Sequence, residues 1–121
     1  SYSTHGKSLV DLAAPGGDTA YPGAEACTVR AFTASCRTFD RVLTTARGST
    51  AAGSYQWSSG TSMAAPVVSG IAALVIEAAG GEATPSQVEA GLRRGAIDLG
   101  KPGMDEFYGH GFVNAYRSVQ R

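Results

Sequence analysis

From Gly60 to Val75 the chain reads Gly-Thr-Ser-Met-Ala-Ala-Pro-Val-Val-Ser-Gly-Ile-Ala-Ala-Leu-Val, and any fold has to accommodate this stretch first. After a small-residue turn it is apolar on nearly every face and carries almost no charge until Glu77. A helix from about Ser62 to Ala79 is expected, roughly 27 Å long at 1.5 Å per residue. A helix apolar all round has to be buried. The other segments are too few to cover it, so the expectation is an α/β domain with layers on both sides of the helix and a large part of the domain absent from this chain.

The entry to that helix also suggests chemistry. Gly60 permits a tight backbone approach, and Thr61 and Ser62 bring hydroxyls to a helix start. A serine placed there sits beside unpaired amides at the positive end of the helix dipole, where a developing oxyanion is stabilised. Gly60, Thr61, Ser62 and Met63 are therefore the candidate oxyanion and substrate-binding residues, with Ser62 as the candidate nucleophile. Taken structurally, the same residues are a helix capped by Thr61 or Ser62.

The stretch resembles the serine-bearing motif of the subtilisin-like serine proteases, which usually reads Gly-Thr-Ser-Met-Ala-(Ala or Ser)-Pro-His-Val-Ala-Gly. Val67 stands where most relatives carry a histidine that is not the catalytic one. Upstream, Val10-Asp11-Leu12-Ala13-Ala14-Pro15-Gly16 is similar to the family segment that precedes the serine motif. Downstream, the Leu99-Gly100, Pro102-Gly103, Tyr108-Gly109-His110-Gly111 and Val113-Asn114-Ala115 series is similar to the usual close of the domain. The resemblance thus covers almost all of the chain outside a loop at about 18–41, and residues 1–121 read as the C-terminal portion of one catalytic domain carrying that loop as an insertion. It implies a three-layer domain with a mostly parallel sheet and a buried serine-bearing helix.

By the same resemblance the mechanism is acyl transfer to Ser62, and the catalytic aspartate, the histidine and the oxyanion-hole asparagine lie in an N-terminal part absent from this chain. That part is the expected partner, and the substrate is an extended polypeptide. Met63 lies on the leaving-group side of the cleft, where its oxidation would add bulk and polarity. His5 and His110 stand at positions the family leaves noncatalytic. The rival reading is a noncatalytic pseudoprotease or binding module that keeps the fold.

Composition enters mainly through charge and cysteine. Ten basic and ten acidic residues cancel, so neither nucleic acid nor an anionic membrane surface is an expected partner. The apolar run from Ile71 to Ala79 is too short for a membrane span of about 20 residues. Cys27 and Cys36 are the only cysteines. They suit one local disulfide in an oxidising compartment, worth about 2.5 kcal/mol in the chain-entropy model, against the alternative of two free thiols. A zinc pair lacks a second set of ligands. Localisation is expected to be secreted, and with no signal segment at its start the chain is expected to be processed or cut from a longer one. Asp98, Asp105 and Glu106 lack the alternating oxygen pattern of a calcium loop, so no metal or other cofactor is expected on this chain; calcium is left to the rest of the complete domain.

The remaining segments follow in order. Residues 8–14 read as a buried strand ended by Pro15-Gly16-Gly17. Residues from about 18 to 41 read as an irregular surface loop, an insertion relative to compact family members. Val42–Thr45 and Ser54–Ser58 read as strands, with Trp57 packed on the sheet or bordering the cleft. Gly80-Gly81 stops the long helix. Thr84-Pro85-Ser86-Gln87 forms a capping box for a second helix with Val88, Gly91 and Leu92 inward, and Asn114 caps a last short helix.

Overall fold

The computed structural model describes residues 3–18, 25–47 and 53–120. The chain forms two compact units, Ser1–Ala14 with Ala64–Arg121 and Pro15–Met63, so one unit boundary falls in the first turn of the long helix.

In the second unit, β1 (Ala26–Val29) and β2 (Phe32–Ser35) pair antiparallel, with Cys27 opposite Ala34 and Thr28 opposite Thr33. Arg30 takes φ 56° in the two-residue connection, as the primed hairpin turns require. The threonine hydroxyls bond across the ladder at 2.8 Å. The short helix α1 (Cys36–Phe39) follows, and Cys27 and Cys36 are joined in a disulfide. The irregular loop expected over 18–41 is therefore wrong for its described part: residues 26–39 form a stapled hairpin and a helical turn. Runs this short show no clear periodicity, and it is the pairing across the turn that makes them strands.

Strands β3 (Val42–Ala46) and β4 (Ser54–Ser58) pair antiparallel from Val42 opposite Ser58 to Ala46 opposite Ser54. The mostly parallel sheet expected from the resemblance is absent from the described residues, where both ladders are antiparallel. Parallel neighbours need a crossover of a dozen or more residues, whereas these strands follow one another through short connections.

The first unit is built on α2 (Thr61–Ala78) and α3 (Pro85–Gly95), with α4 (Ala115–Ser118) at the end. Helix α2 stops where Gly80 and Gly81 take φ of 86° and 87°. Their amides return to the carbonyls of Glu77 and Ile76, both at 2.9 Å, which is the Schellman arrangement. At the start of α3 the Thr84 Oγ1 accepts from the Gln87 amide at 3.3 Å, and the Gln87 Oε1 accepts from the Thr84 amide at 2.8 Å. Asn114 caps α4 by accepting from the Arg117 amide at 2.9 Å.

The core consists of Ile71, Leu92 and Val113, with Leu12, Val67, Val68, Ala72, Val88 and Ala115 packed around it. The contributions of α2 recur every three to four residues and form one stripe. Only Ile71 and Val75 of this helix are buried; Ala65, Ser69, Gly70, Ala73 and Leu74 stay exposed. Among the described residues the helix expected to be buried is thus covered on a single face, by α3, Val113, Ala115 and the 12–14 segment. Its eighteen residues, at mean hydropathy 1.6, have the length and composition of a membrane span, beyond what the shorter run from Ile71 suggested.

The strand expected over 8–14 also contracts. Gly6 closes a turn by accepting from the amides of Leu9 at 2.9 Å and Val10 at 3.0 Å. Only Leu12 and Ala13 then make isolated bridges, antiparallel to Gly109 and parallel to Phe112.

Candidate active site

Strand β4 delivers the chain to Ser59 and Gly60, and α2 starts at the next residue. Gly60 takes φ 138°, a conformation that side chains rarely adopt. Its amide donates to the Gly16 carbonyl at 2.8 Å, and its carbonyl accepts from the Met63 amide at 2.9 Å. These two bonds fix the turn from both sides. Thr61 and Ser62 are the first two helical residues rather than caps, and both are exposed; Met63 is half-buried.

Two features keep the first turn of α2 polar. The amides of Thr61 and Ser62 precede the first intrahelical acceptor and face the helix start, whereas the Met63 amide is taken by the Gly60 carbonyl. Pro66 lacks the amide that would otherwise bond the Ser62 carbonyl four residues before it. By contrast, the Ser69 hydroxyl, further along the helix, turns back to the Ala65 carbonyl at 3.2 Å.

Trp57 is half-buried and meets Phe39 edge to face, with ring centroids 5.8 Å apart. Phe39 makes the same type of contact with Phe32 at 5.8 Å. Packing is therefore the observed role of Trp57.

The histidines have other neighbours. His5 stacks on Phe107 at 5.4 Å. The His110 amide donates to the Asp11 carbonyl at 2.8 Å, and its ring Nε2 lies 3.9 Å from Asp11 Oδ1. Arg93 bridges Asp11 and Glu89, each at 2.6 Å, and its pKa is raised chiefly by the hydrogen bond to Asp11.

The acidic residues of the tail organise turns. Asp98 Oδ2 accepts from the Gly103 amide at 2.8 Å. Asp105 is buried and accepts from the amides of Tyr108 and Phe107 at 2.8 Å and of Lys101 at 3.2 Å. The Tyr108 bond leads in holding its carboxyl below the usual carboxylate range, against the opposing pull of desolvation. Among the described residues, no three His, Cys, Asp or Glu side chains gather as a metal-holding group.

Sequence reasoning missed Gly16 as a support of the serine turn and Phe39 as the partner of Trp57. The Pro15-Gly16-Gly17 string signals a turn, but nothing local indicates that its carbonyl meets an amide forty-four residues later.

Solved structures place this arrangement among the subtilisin-like proteases. The crystal structure of a lanthipeptide protease is similar at TM-score 0.68 and 39% identity, covering 98% of this chain and 36% of that one. The psychrophilic subtilisin-like protease Apa1 from the Antarctic psychrotroph Pseudoalteromonas sp. AS-11 is similar at TM-score 0.50 and 43% identity, over 54% of this chain and 15% of that one. Fervidolysin from Fervidobacterium pennivorans, a keratinolytic enzyme related to subtilisin, shares the fold at TM-score 0.61 and 23% identity, over 93% and 19% of the two chains. The chain spans about a third of the length of the lanthipeptide protease. The model of the Subtilase family, Peptidase_S8, matches residues 1–111, and the chain belongs to that family. No curated protein sequence matches it significantly.

Proposed function

We propose that this chain is the nucleophile-bearing part of a secreted subtilisin-like serine endopeptidase, with Ser62 as nucleophile and the catalytic aspartate and histidine on an N-terminal part of the same domain. One observation carries the reading: in a chain of this family, the serine of the Gly-Thr-Ser-Met-Ala string is exposed at the second residue of a long helix, after a turn held at Gly60. The companion part is supported by the open face of α2, where Leu74 is 44% exposed. Apolar area left in water forgoes about 25 cal/mol per Å². The N-terminal part of the domain, with its parallel strands, covers that face and completes the three layers. The Cys27–Cys36 disulfide supports an oxidising compartment.

The chemistry follows from that placement. Histidine removes the Ser62 proton as Oγ attacks the scissile carbonyl of an extended polypeptide, and the oxyanion forms beside the first-turn amides of α2 and the companion asparagine. Histidine then returns the proton to the leaving amine, and water hydrolyses the acyl-enzyme. Gly60, Thr61 and Met63 shape the backbone around the reacting carbonyl.

The test uses the complete peptidase and a fluorophosphonate, with adducts mapped by peptide mass spectrometry and activity measured on a peptide panel that includes lanthipeptides. Ser62 is expected to be the one labelled serine of this chain, with Ser58, Ser59 and Ser69 unmodified. Ser62→Ala should lower kcat by about 10⁴-fold or more while folding persists, since Ser62 is an exposed helical residue at which alanine is the better helix former. Labelling elsewhere, or full activity in Ser62→Ala, refutes the assignment. A folded, unlabelled and inactive assembly would favour the noncatalytic rival.

A further inference from the structure

The stapled hairpin looks like a surface insertion, yet its exit is attached to both ends of the segment that leads into Ser62. One attachment is aromatic: Phe39, the last residue of α1, meets Trp57 edge to face, and Trp57 lies near the end of β4. The other runs through backbone. The Asp40 carbonyl accepts from the Asp18 amide at 3.1 Å, and the Gly16 carbonyl accepts from the Gly60 amide at 2.8 Å. Between them, Gly17 lies so close to the main chain of Arg41 that an added Cβ would stand 2.9 Å from the Arg41 Cα. Residues 57–60 are thus held at one end by a ring and at the other by a peptide strap, and both lead back to α1.

The disulfide fixes the origin of that brace. Cys36, the first residue of α1, is buried, donates its amide to the Glu25 carbonyl at 2.8 Å and is bonded to Cys27 on β1. Phe32 on β2 closes the other side of Phe39. With only four residues, α1 has too little hydrogen bonding of its own to hold Phe39 in place. Its position depends on the staple and on the two flanking rings.

The geometry points to Phe39 as a positioning residue for the nucleophile, with the Cys27–Cys36 staple and the Gly16–Asp18 strap as parts of the same brace. This inference rests on the reading of Ser62 given above. Phe39 acts through Trp57 and the serine turn, so its loss should lower kcat rather than substrate binding. A displacement of about 1 Å at a reacting group costs up to roughly 10²-fold in rate.

The experiment compares Phe39→Ala, Phe39→Tyr and the double variant Cys27→Ala with Cys36→Ala in the complete peptidase. Steady-state kinetics on a peptide substrate are paired with hydrogen exchange of the peptide covering residues 54–63. Phe39→Ala should lower kcat about tenfold with KM within about twofold, and should speed exchange of that peptide about tenfold. Phe39→Tyr keeps the ring edge on Trp57 and should restore both readouts. The double alanine variant should reproduce the Phe39→Ala pattern, which also covers the case in which Phe39→Ala itself fails to fold. Unchanged exchange in the variants, or faster exchange with unchanged kcat, overturns the inference. The exchange data do not involve Ser62 chemistry, so an active Ser62→Ala enzyme would refute the nucleophile assignment while leaving the brace measured on its own terms.

Discussion

Gly95→Ala is the substitution whose cost the structure defines most closely. Gly95 is the last residue of α3 and is buried against α4. A Cβ added there would lie 2.5 Å from the Ser118 amide nitrogen and 2.6 Å from its Cα, and would also strike Oγ. Ser118 is only 1% exposed, and its amide donates to the Asn114 carbonyl at 3.0 Å, so the backbone cannot retreat without opening α4. Overpacking of this type costs about 1–3 kcal/mol. Alanine recovers at most about 1 kcal/mol of helix propensity, and less at a terminal residue. A net loss of about 1–2 kcal/mol is expected.

Urea unfolding of the complete protein, in a Ser62→Ala background to prevent self-cleavage, measures that loss from the shift in midpoint at constant slope. Two controls sharpen it. Gly91→Ala should cost less, because its Cβ would meet the Val75 Cγ1 at 2.9 Å, and a side chain can turn aside where a backbone cannot. Ser118→Gly should not rescue Gly95→Ala, since the amide nitrogen and Cα that block the new methyl remain. An unshifted midpoint for Gly95→Ala, or full rescue by Ser118→Gly, would refute the packing argument.

Asp105 should make stability depend on acid. Its carboxyl is held below the ordinary value of 3.8 in the folded chain, so its contribution is complete above that pH and is lost as pH falls through the lower folded value. The stability gap between wild type and Asp105→Asn, read from unfolding midpoints, should be largest near about pH 7 and close below about pH 4; a gap independent of pH would contradict this. Gly70→Ala tests the cover proposed for α2. Among the described residues a Cβ there meets nothing within 4 Å beyond its own helix, and helix propensity alone would stabilise it by about 1 kcal/mol. If the N-terminal part packs on this face, the same change should destabilise the complete domain, and a gain in stability would argue against cover at Gly70.

Much of the architecture could be read locally. Thr84, Pro85 and Gln87 specify the start of α3 through bonds spanning three residues, Asn114 does the same for α4, and Gly80-Gly81 ends α2 through backbone that other residues adopt at a cost. The Ser54–Ser58 strand and the cysteine pairing also followed from short-range pattern and count. The family was legible in ordered strings from Val10 to Ala115, and with it the candidate Ser62. Each of these signals lies within a few residues of what it controls.

Tertiary structure decided the rest. Residues 26–35 are strands because Cys27 faces Ala34 and Thr28 faces Thr33, and neither half signals that pairing by itself. The 8–14 segment is cut to single bridges because its partners, Gly109 and Phe112, belong to a loop about a hundred residues away. The apolar sequence of α2 demanded burial, but which stripe is covered depended on where Leu92 and Val113 came to rest. The turn before Ser62 is held by the Gly16 carbonyl, a partner no window around Gly60 contains. Helix ends, turns and motif residues are governed by bonds between near neighbours and stay visible in one dimension, whereas strand pairing, burial and the support of the serine turn depend on distant residues meeting once the chain has closed on itself.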